Sequence, residues 1–291
     1  MRYEGAIYRP PSEAGSFILQ VTIGCSHNRC TFCVTFIDKK FRERDLNDIF
    51  ADIEEVAAEY QGVERVFLAD GNAMVMNTEK LLKILDKLYT SFPKLKRVGL
   101  YATPHDLLHK SREELTELQE AGLGIVYMGV ETGNDELLLW VRKGATRKEI
   151  AEAGIKAREA GLILSATVIN GLGGTEKMVE HAKETASLIS EIDPHYLGLL
   201  TLLVCDGSII SRKLQRNEFR LPAPLDMLAE IKMMVEGLEV SNCIFRANHA
   251  TNYLPLKGTL PGDKKKLLDT LNNMLRRGDI QMLRPEFLRG L

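Results

Sequence analysis

Apolar positions along this chain alternate between two patterns. Short continuous runs occupy 17–23, 65–69, 97–102, 124–130, 162–169 and 196–204. Between them, apolar residues recur three and four apart, as in Leu46, Ile49, Phe50, Ile53, Val56, Ala57 and Tyr60. The runs predict strands and the spaced stretches predict helices over 46–60, 77–89, 111–121, 146–160 and 176–190. Start and stop signals agree. Asp45 is placed to cap the first helix, and Ser111 with Glu114 and Thr146 with Glu149 form capping boxes. Glu120-Ala121-Gly122-Leu123 and Glu159-Ala160-Gly161-Leu162 are near-identical junctions, each with a glycine where a helix takes a left-handed residue before turning into a strand.

Six strands separated by five helices, with little alternation inside the strands, describe an α/β fold with a parallel sheet buried on both faces. Right-handed crossovers then leave an open doubly wound sheet or a partly closed barrel, and chemistry is expected at the C-terminal ends of the strands. Pro10 and Pro11 make 1–15 an extended lead-in, with Arg9 and Glu13 expected in solvent. Beyond 204 the character changes. Helices are predicted over 222–238 and 263–276, with a donor-rich loop at 245–253 between them, expected to face substrate, and a tail after Gly278 lying on the surface. The division is thus lead-in 1–15, barrel 16–204 and a helical extension 205–291 covering the barrel mouth without being an independent domain.

With 45% hydrophobic and 27% charged residues, the chain can bury a full core. A net charge of −2 gives no global basic excess, so nucleic acid is not an expected partner. No run approaches the ~18 apolar residues of a membrane span. Five cysteines, an odd count without a secretory leader, describe a reducing, cytoplasmic setting.

Three of those cysteines, Cys25, Cys30 and Cys33, fall directly after the first predicted strand. Thiolates so close can share one soft-metal site, most commonly an iron–sulfur cluster. Zinc, with His27 as a fourth donor, is the rival, although His27 sits too near Cys25 for a zinc-finger spacing. A cubane 4Fe–4S cluster held by three cysteines keeps one iron open to an external ligand.

A strand followed by a short Cys-x4-Cys-x2-Cys loop, with Phe32 just before the last cysteine, resembles the radical S-adenosylmethionine superfamily; the commonest first gap there is three residues. The resemblance implies a partial (βα)6 TIM-like barrel. It implies a 4Fe–4S cluster on Cys25, Cys30 and Cys33, with S-adenosylmethionine chelating the open iron. Reductive cleavage to a 5′-deoxyadenosyl radical would then abstract hydrogen from a substrate, expected to be a small molecule. The reductant would be a flavodoxin or ferredoxin. Phe32 matches the ring near the adenine. Asp70, Gly71 and Asn72 stand where the family has a Gly-Gly-Glu-like segment contacting the methionine amino group. Glu131 matches a polar strand-four position. Lys143, beside Arg142, is offered to the methionine carboxylate, against a solvated surface pair. Ser165, Ile169 and Gly171 fall on the strand-five segment that flanks adenine. Cys205 is a candidate hydrogen-atom donor and His249 a candidate acid/base, each weighed against a structural role; Cys205 and Cys243 have no thiolate spacing to suit a cluster. The other readings are a zinc-dependent barrel hydrolase or lyase, and a non-catalytic iron–sulfur electron carrier or sensor.

Overall fold

The computed structural model describes residues 2–290, so Met1 and Leu291, the outer ends of the expected lead-in and extension, lie outside the described residues. The first predicted strand is broken in two, β1 (Phe17–Gln20) and β2 (Thr22–Ile23), and β2 pairs antiparallel with a short β3 (Arg42–Glu43). The charged stretch after the cysteines therefore returns to the strand that leads into them. Next come α1 (Leu46–Glu59), capped by the Asp45 side chain on the Asn47 N–H, then β4 (Arg65–Ala69), α2 (Thr78–Ser91) and β5 (Arg97–Ala102). Two helices follow where one was expected. α3 (Pro104–His109) carries a Thr103–Asp106 capping box, and α4 (Arg112–Glu120) carries the predicted Ser111–Glu114 box. β6 (Leu123–Glu131), α5 (Asp135–Trp140), α6 (Arg147–Glu159), β7 (Ile163–Asn170), α7 (Met178–Ile192) and β8 (Tyr196–Thr201) continue the alternation. Gly122 and Gly161 have φ of +104° and +83°, the left-handed geometry their junctions demand.

After β8 the chain forms α8 (Ile209–Gln215), α9 (Pro224–Gly237), β9 (Cys243–Ala247), β10 (Leu256–Leu260) and α10 (Lys264–Arg277). The extension is thus not purely helical. β9 runs parallel to β8, with Leu197 opposite Phe245, and β10 returns antiparallel to β9. Cys243, Phe245 and Ala247 are buried while Arg246 between them is exposed, a period-two pattern only five residues long that the polar residues after it obscure.

The chain divides into two compact units. Among the described residues the first comprises 2–28, Thr35–Met128 and Glu152–Leu164; the second comprises Arg29–Val34, Gly129–Ala151 and 165–290. In the first, β1, β4, β5 and β6 are parallel neighbours in that order, with Leu19, Val66, Leu68, Val98, Leu100 and Val126 fully buried. In the second, β7, β8 and β9 are parallel and β10 ends the row. No helix among the described residues is long and apolar enough to cross a membrane.

The lead-in is mostly exposed but is pinned at one charged residue. Glu13 is fully buried and its carboxylate accepts from Arg97 Nη2, Tyr127 Oη and Ser16 Oγ, each at 2.5 Å. A buried carboxylate is tolerable when paired and hydrogen-bonded in this way. The partner Arg97 is far away in sequence, which is why Glu13 read as a surface residue. Arg9 remains exposed, as expected.

The tail is also more than a surface strap. The Arg289 side chain is completely buried. It donates to Leu202 O at 2.8 Å, Thr251 O at 2.7 Å and Tyr253 Oη at 2.7 Å, and its guanidinium lies 4.1 Å from the Tyr253 ring centroid. A lysine has one ammonium where arginine has a rigid fork of donors. Arg289→Lys is therefore expected to leave buried carbonyls unpaired and to cost roughly 1–2 kcal/mol of stability, read from urea unfolding. An unchanged midpoint would show that the tail contributes no anchoring.

Candidate functional site

In the first unit the cysteine loop starts from a glycine, Gly24, with φ +73°. It is held against the end of β4. Asp70 Oδ2 accepts from Gly24 N–H at 3.2 Å and from Lys39 Nζ at 2.7 Å, and Asn72 Oδ1 accepts from Ser26 N–H at 2.9 Å. Asn72 also donates to Ser26 Oγ at 2.7 Å and to Asp106 Oδ2 at 2.8 Å. Burial raises the Asp106 carboxyl above its ordinary range, against the hydrogen bonds from Asn72 and Thr103. A cleft of about 870 Å³ runs along this network past Ser26, Asp106, His105 and His109. Asp70 is fully buried, and its Oδ1 has no hydrogen-bond partner.

Gly71 sits between those anchors, and a Cβ there would fall on Gly24 O and within 2.5 Å of Cys25 Cα. Only a glycine lets the two backbones approach so closely. Gly71→Ala is expected to push the loop away, lowering stability by about 1–3 kcal/mol and cutting iron uptake during anaerobic reconstitution. Wild-type iron content in that variant would show that the contact has no bearing on the loop.

In the second unit, residues 29–34 are held by their own partners. Thr31 N–H donates to Val141 O at 2.9 Å, and Thr31 O accepts from Ile210 N–H at 3.0 Å. Phe32 and Ile169 pack against one apolar cluster of Val141, Leu172, Leu202, Ile210 and Phe219. Two of the residues expected near an adenine are thereby brought to the same cluster. Glu131 is the last residue of β6, with φ +66°, and its Oε1 accepts from Lys143 Nζ at 2.7 Å. Lys143 is thus no solvated surface residue. Gly129 makes room for this pair, since a Cβ there would lie 2.8 Å from Lys143 Nζ. Ser165 is buried, and Gly171 has φ +83°.

β8 ends at Thr201, so Cys205 lies in the following loop rather than on a strand. Its thiol pKa is raised by burial first, then by the nearby Cys33 sulfur and Asp206. Cys243 is buried in β9, its pKa pushed up to about 12, mainly by burial. His249 belongs to a brace. Thr251 N–H donates to its Nδ1 at 3.2 Å, which makes Nδ1 an acceptor, and burial with the Arg284 guanidinium lowers its pKa. Part of the loop around it is anchored to β8. Thr251 and Asn252 are buried, and Asn252 bonds to Thr201 Oγ1 and Leu199 O, both at 2.8 Å. Its donors satisfy the end of β8, a role that their polarity alone did not distinguish from binding substrate.

Residues 19–189, more than half of the chain, match the family model described as the Radical SAM superfamily. The chain belongs to the radical SAM superfamily. It is 27% identical over 236 residues to the heme chaperone HemW of Bacillus subtilis (strain 168), covering 75% of this chain and 60% of HemW. Among solved structures, it resembles the cobalamin- and [4Fe-4S]-bound methyltransferase TsrM of Kitasatospora setae (TM-score 0.58, 19% identity, 69% of this chain and 39% of TsrM). It also resembles coproporphyrinogen III oxidase HemN of Escherichia coli (TM-score 0.57, 20% identity, 76% of this chain and 52% of HemN). The chain therefore spans three-fifths or less of each of these proteins, and the structural likenesses show the fold: the α/β partial barrel of the superfamily.

Radical SAM proteins bind a 4Fe–4S cluster and S-adenosylmethionine, and the residues present here fit both. Three thiols supply the soft donors that iron takes. Among the described residues no three His, Cys, Asp or Glu side chains converge on a single metal ion; in a cubane each thiolate goes to its own iron, so convergence is not the relevant geometry. The buried Asp70 Oδ1 has acceptor capacity for a ligand ammonium. Sequence reasoning missed Lys39 and Asp106, which orient Asp70 and Asn72. Lys39 lay in an unremarkable charged connector. Asp106 is the third helical position after Thr103, a Thr-x-x-Asp signal that a capping-box search widened to aspartate would have found.

Proposed function

We propose that this chain is a radical S-adenosylmethionine enzyme in which Cys25, Cys30 and Cys33 ligate three irons of the cluster. Asp70, Gly71 and Asn72 are assigned to the methionine amino end, Glu131 with Lys143 to the ribose or amino-acid part, and Phe32, Ser165, Ile169 and Gly171 to the adenosine. The observation that carries the reading is the seating of the cysteine loop: Asp70 and Asn72 hold the Gly24 and Ser26 amides while Gly71 admits the backbone of Cys25. Cluster and S-adenosylmethionine, when bound, supply reductive sulfonium cleavage and a carbon radical that takes hydrogen from substrate. The chain's own part is to orient the ammonium and ribose, stack the base and keep water out with the Phe32 cluster. A flavodoxin or ferredoxin delivers the electron, and the substrate is a small molecule. Cys205 is the candidate donor of a returning hydrogen atom.

The test is anaerobic reconstitution with iron and sulfide, reduction with dithionite, and chromatography for 5′-deoxyadenosine and methionine. Both products are expected in equal amounts in the absence of substrate. A fully loaded cluster that yields neither would replace this reading with that of an electron carrier or sensor.

A further inference from the structure

β7 alternates in environment at its C-terminal end. Thr167 and Ile169 keep partial exposure, whereas Ala166, Val168 and Asn170 are fully buried. Asn170 accordingly engages the helical layer, donating from Nδ2 to Met227 O at 3.1 Å, while its main-chain oxygen accepts from Leu202 N–H at 2.9 Å. The next residue, Gly171, is clamped as well. Its N–H donates to Glu230 Oε2 at 2.9 Å, and a Cβ would meet Met227 Sδ and Cε at 2.5 Å. Glu230 Oε1 in turn lies 2.5 Å from His181 Nδ1, and both side chains are fully buried.

A fully buried carboxylate and imidazole are an expensive way to fill space between two helices and a sheet, where an apolar pair would pack at less cost. What this pair does that an apolar pair cannot is accept the Gly171 amide and fix the plane of that peptide. Gly171 is the residue assigned above to the adenosine, and a planar base approaching a glycine is sensitive to the tilt of its peptide. We propose that Glu230, oriented by His181, is a positioning residue for the Ile169–Gly171 segment, where β7 ends, and thereby sets the affinity for the adenosyl part of S-adenosylmethionine. This rests on the reading under Proposed function.

The experiment is calorimetry on anaerobically reconstituted protein with S-adenosylmethionine, S-adenosylhomocysteine and free L-methionine. Glu230→Gln keeps the shape of the side chain but loses its charge toward His181 and Gly171. It is expected to bind both adenosyl ligands about three- to tenfold more weakly, with iron content and methionine binding unchanged. His181→Gln should move the same two affinities in the same direction, and it decides the matter if Glu230→Gln does not fold. A purely structural pair would lower thermal stability and leave the ratio of adenosyl to methionine affinity where it was. That constant ratio, unchanged adenosyl affinity, or failure of both variants to fold overturns the proposal. A wild-type protein that binds no adenosyl ligand overturns the underlying reading instead.

Discussion

Replacing any one of Cys25, Cys30 or Cys33 with Ala is expected to abolish the reducible cluster, leaving protein with little iron and no low-temperature paramagnetic signal after dithionite. The expectation is all-or-none because each thiolate goes to its own iron, and two ligands do not retain a cubane against chelators. Cys205→Ala with Cys243→Ala should bind the same iron as wild type, about four per chain. Cys243 is buried in β9 with its pKa pushed up to about 12, an environment opposed to thiolate formation. Folding can be monitored separately in each variant, because the loop is seated by groups other than sulfur: Asp70 on Gly24, Asn72 on Ser26 and Val141 on Thr31. Native secondary structure with no cluster is the signature sought. Full cluster spectra in all three single variants would remove the basis of the functional reading.

Glu131→Gln is expected to weaken S-adenosylmethionine binding about ten- to a hundredfold, the equivalent of one charged hydrogen bond. The side chains of Glu131 and Lys143 are only 10% and 9% exposed, and they meet at 2.7 Å over the bare backbone of Gly129. Oε1 is committed to Lys143, so Oε2 is the oxygen left to accept from a ribose hydroxyl or an ammonium. The glutamine keeps an acceptor but loses the charge, and it removes the Glu131 charge from beside the Lys143 ammonium. Stability should therefore also fall, by roughly 1–3 kcal/mol. Calorimetry and thermal unfolding on the same anaerobic sample separate the two effects. Reduced stability with normal affinity would make Glu131 solely the partner of Lys143.

The difference between Glu131 and Glu13 shows where local pattern stops being informative. Glu131 stands at the end of an apolar run, a position readable from hydrophobicity alone, and its site role is what the family resemblance implies. Glu13 carries no comparable mark. Its burial depends on Arg97 and Tyr127, which parallel strand pairing brings to it from far along the chain. Arg289 and Glu230 follow the same logic: each is a charged residue whose partners, Leu202 with Thr251 and Gly171 with His181, are remote in sequence. The 245–253 stretch, expected to face substrate, commits its Asn252 side chain to Thr201 and Leu199 of β8. A loop rich in donors looks the same whether its partners are a substrate or the end of β8.

By itself the sequence determined the alternation of strands and helices, their caps, the glycine junctions and the cysteine loop after the first strand. All of these are encoded within a few residues, by periodicity, by φ preference and by side chains that bond their own helix. Only the tertiary structure decided that β9 and β10 extend the strand row, that Lys39 and Asp106 orient Asp70 and Asn72, and that Lys143 belongs to Glu131. A buried charge is tolerated only beside its counter-group, and which groups become neighbours is set by strand register and helix packing over tens of residues.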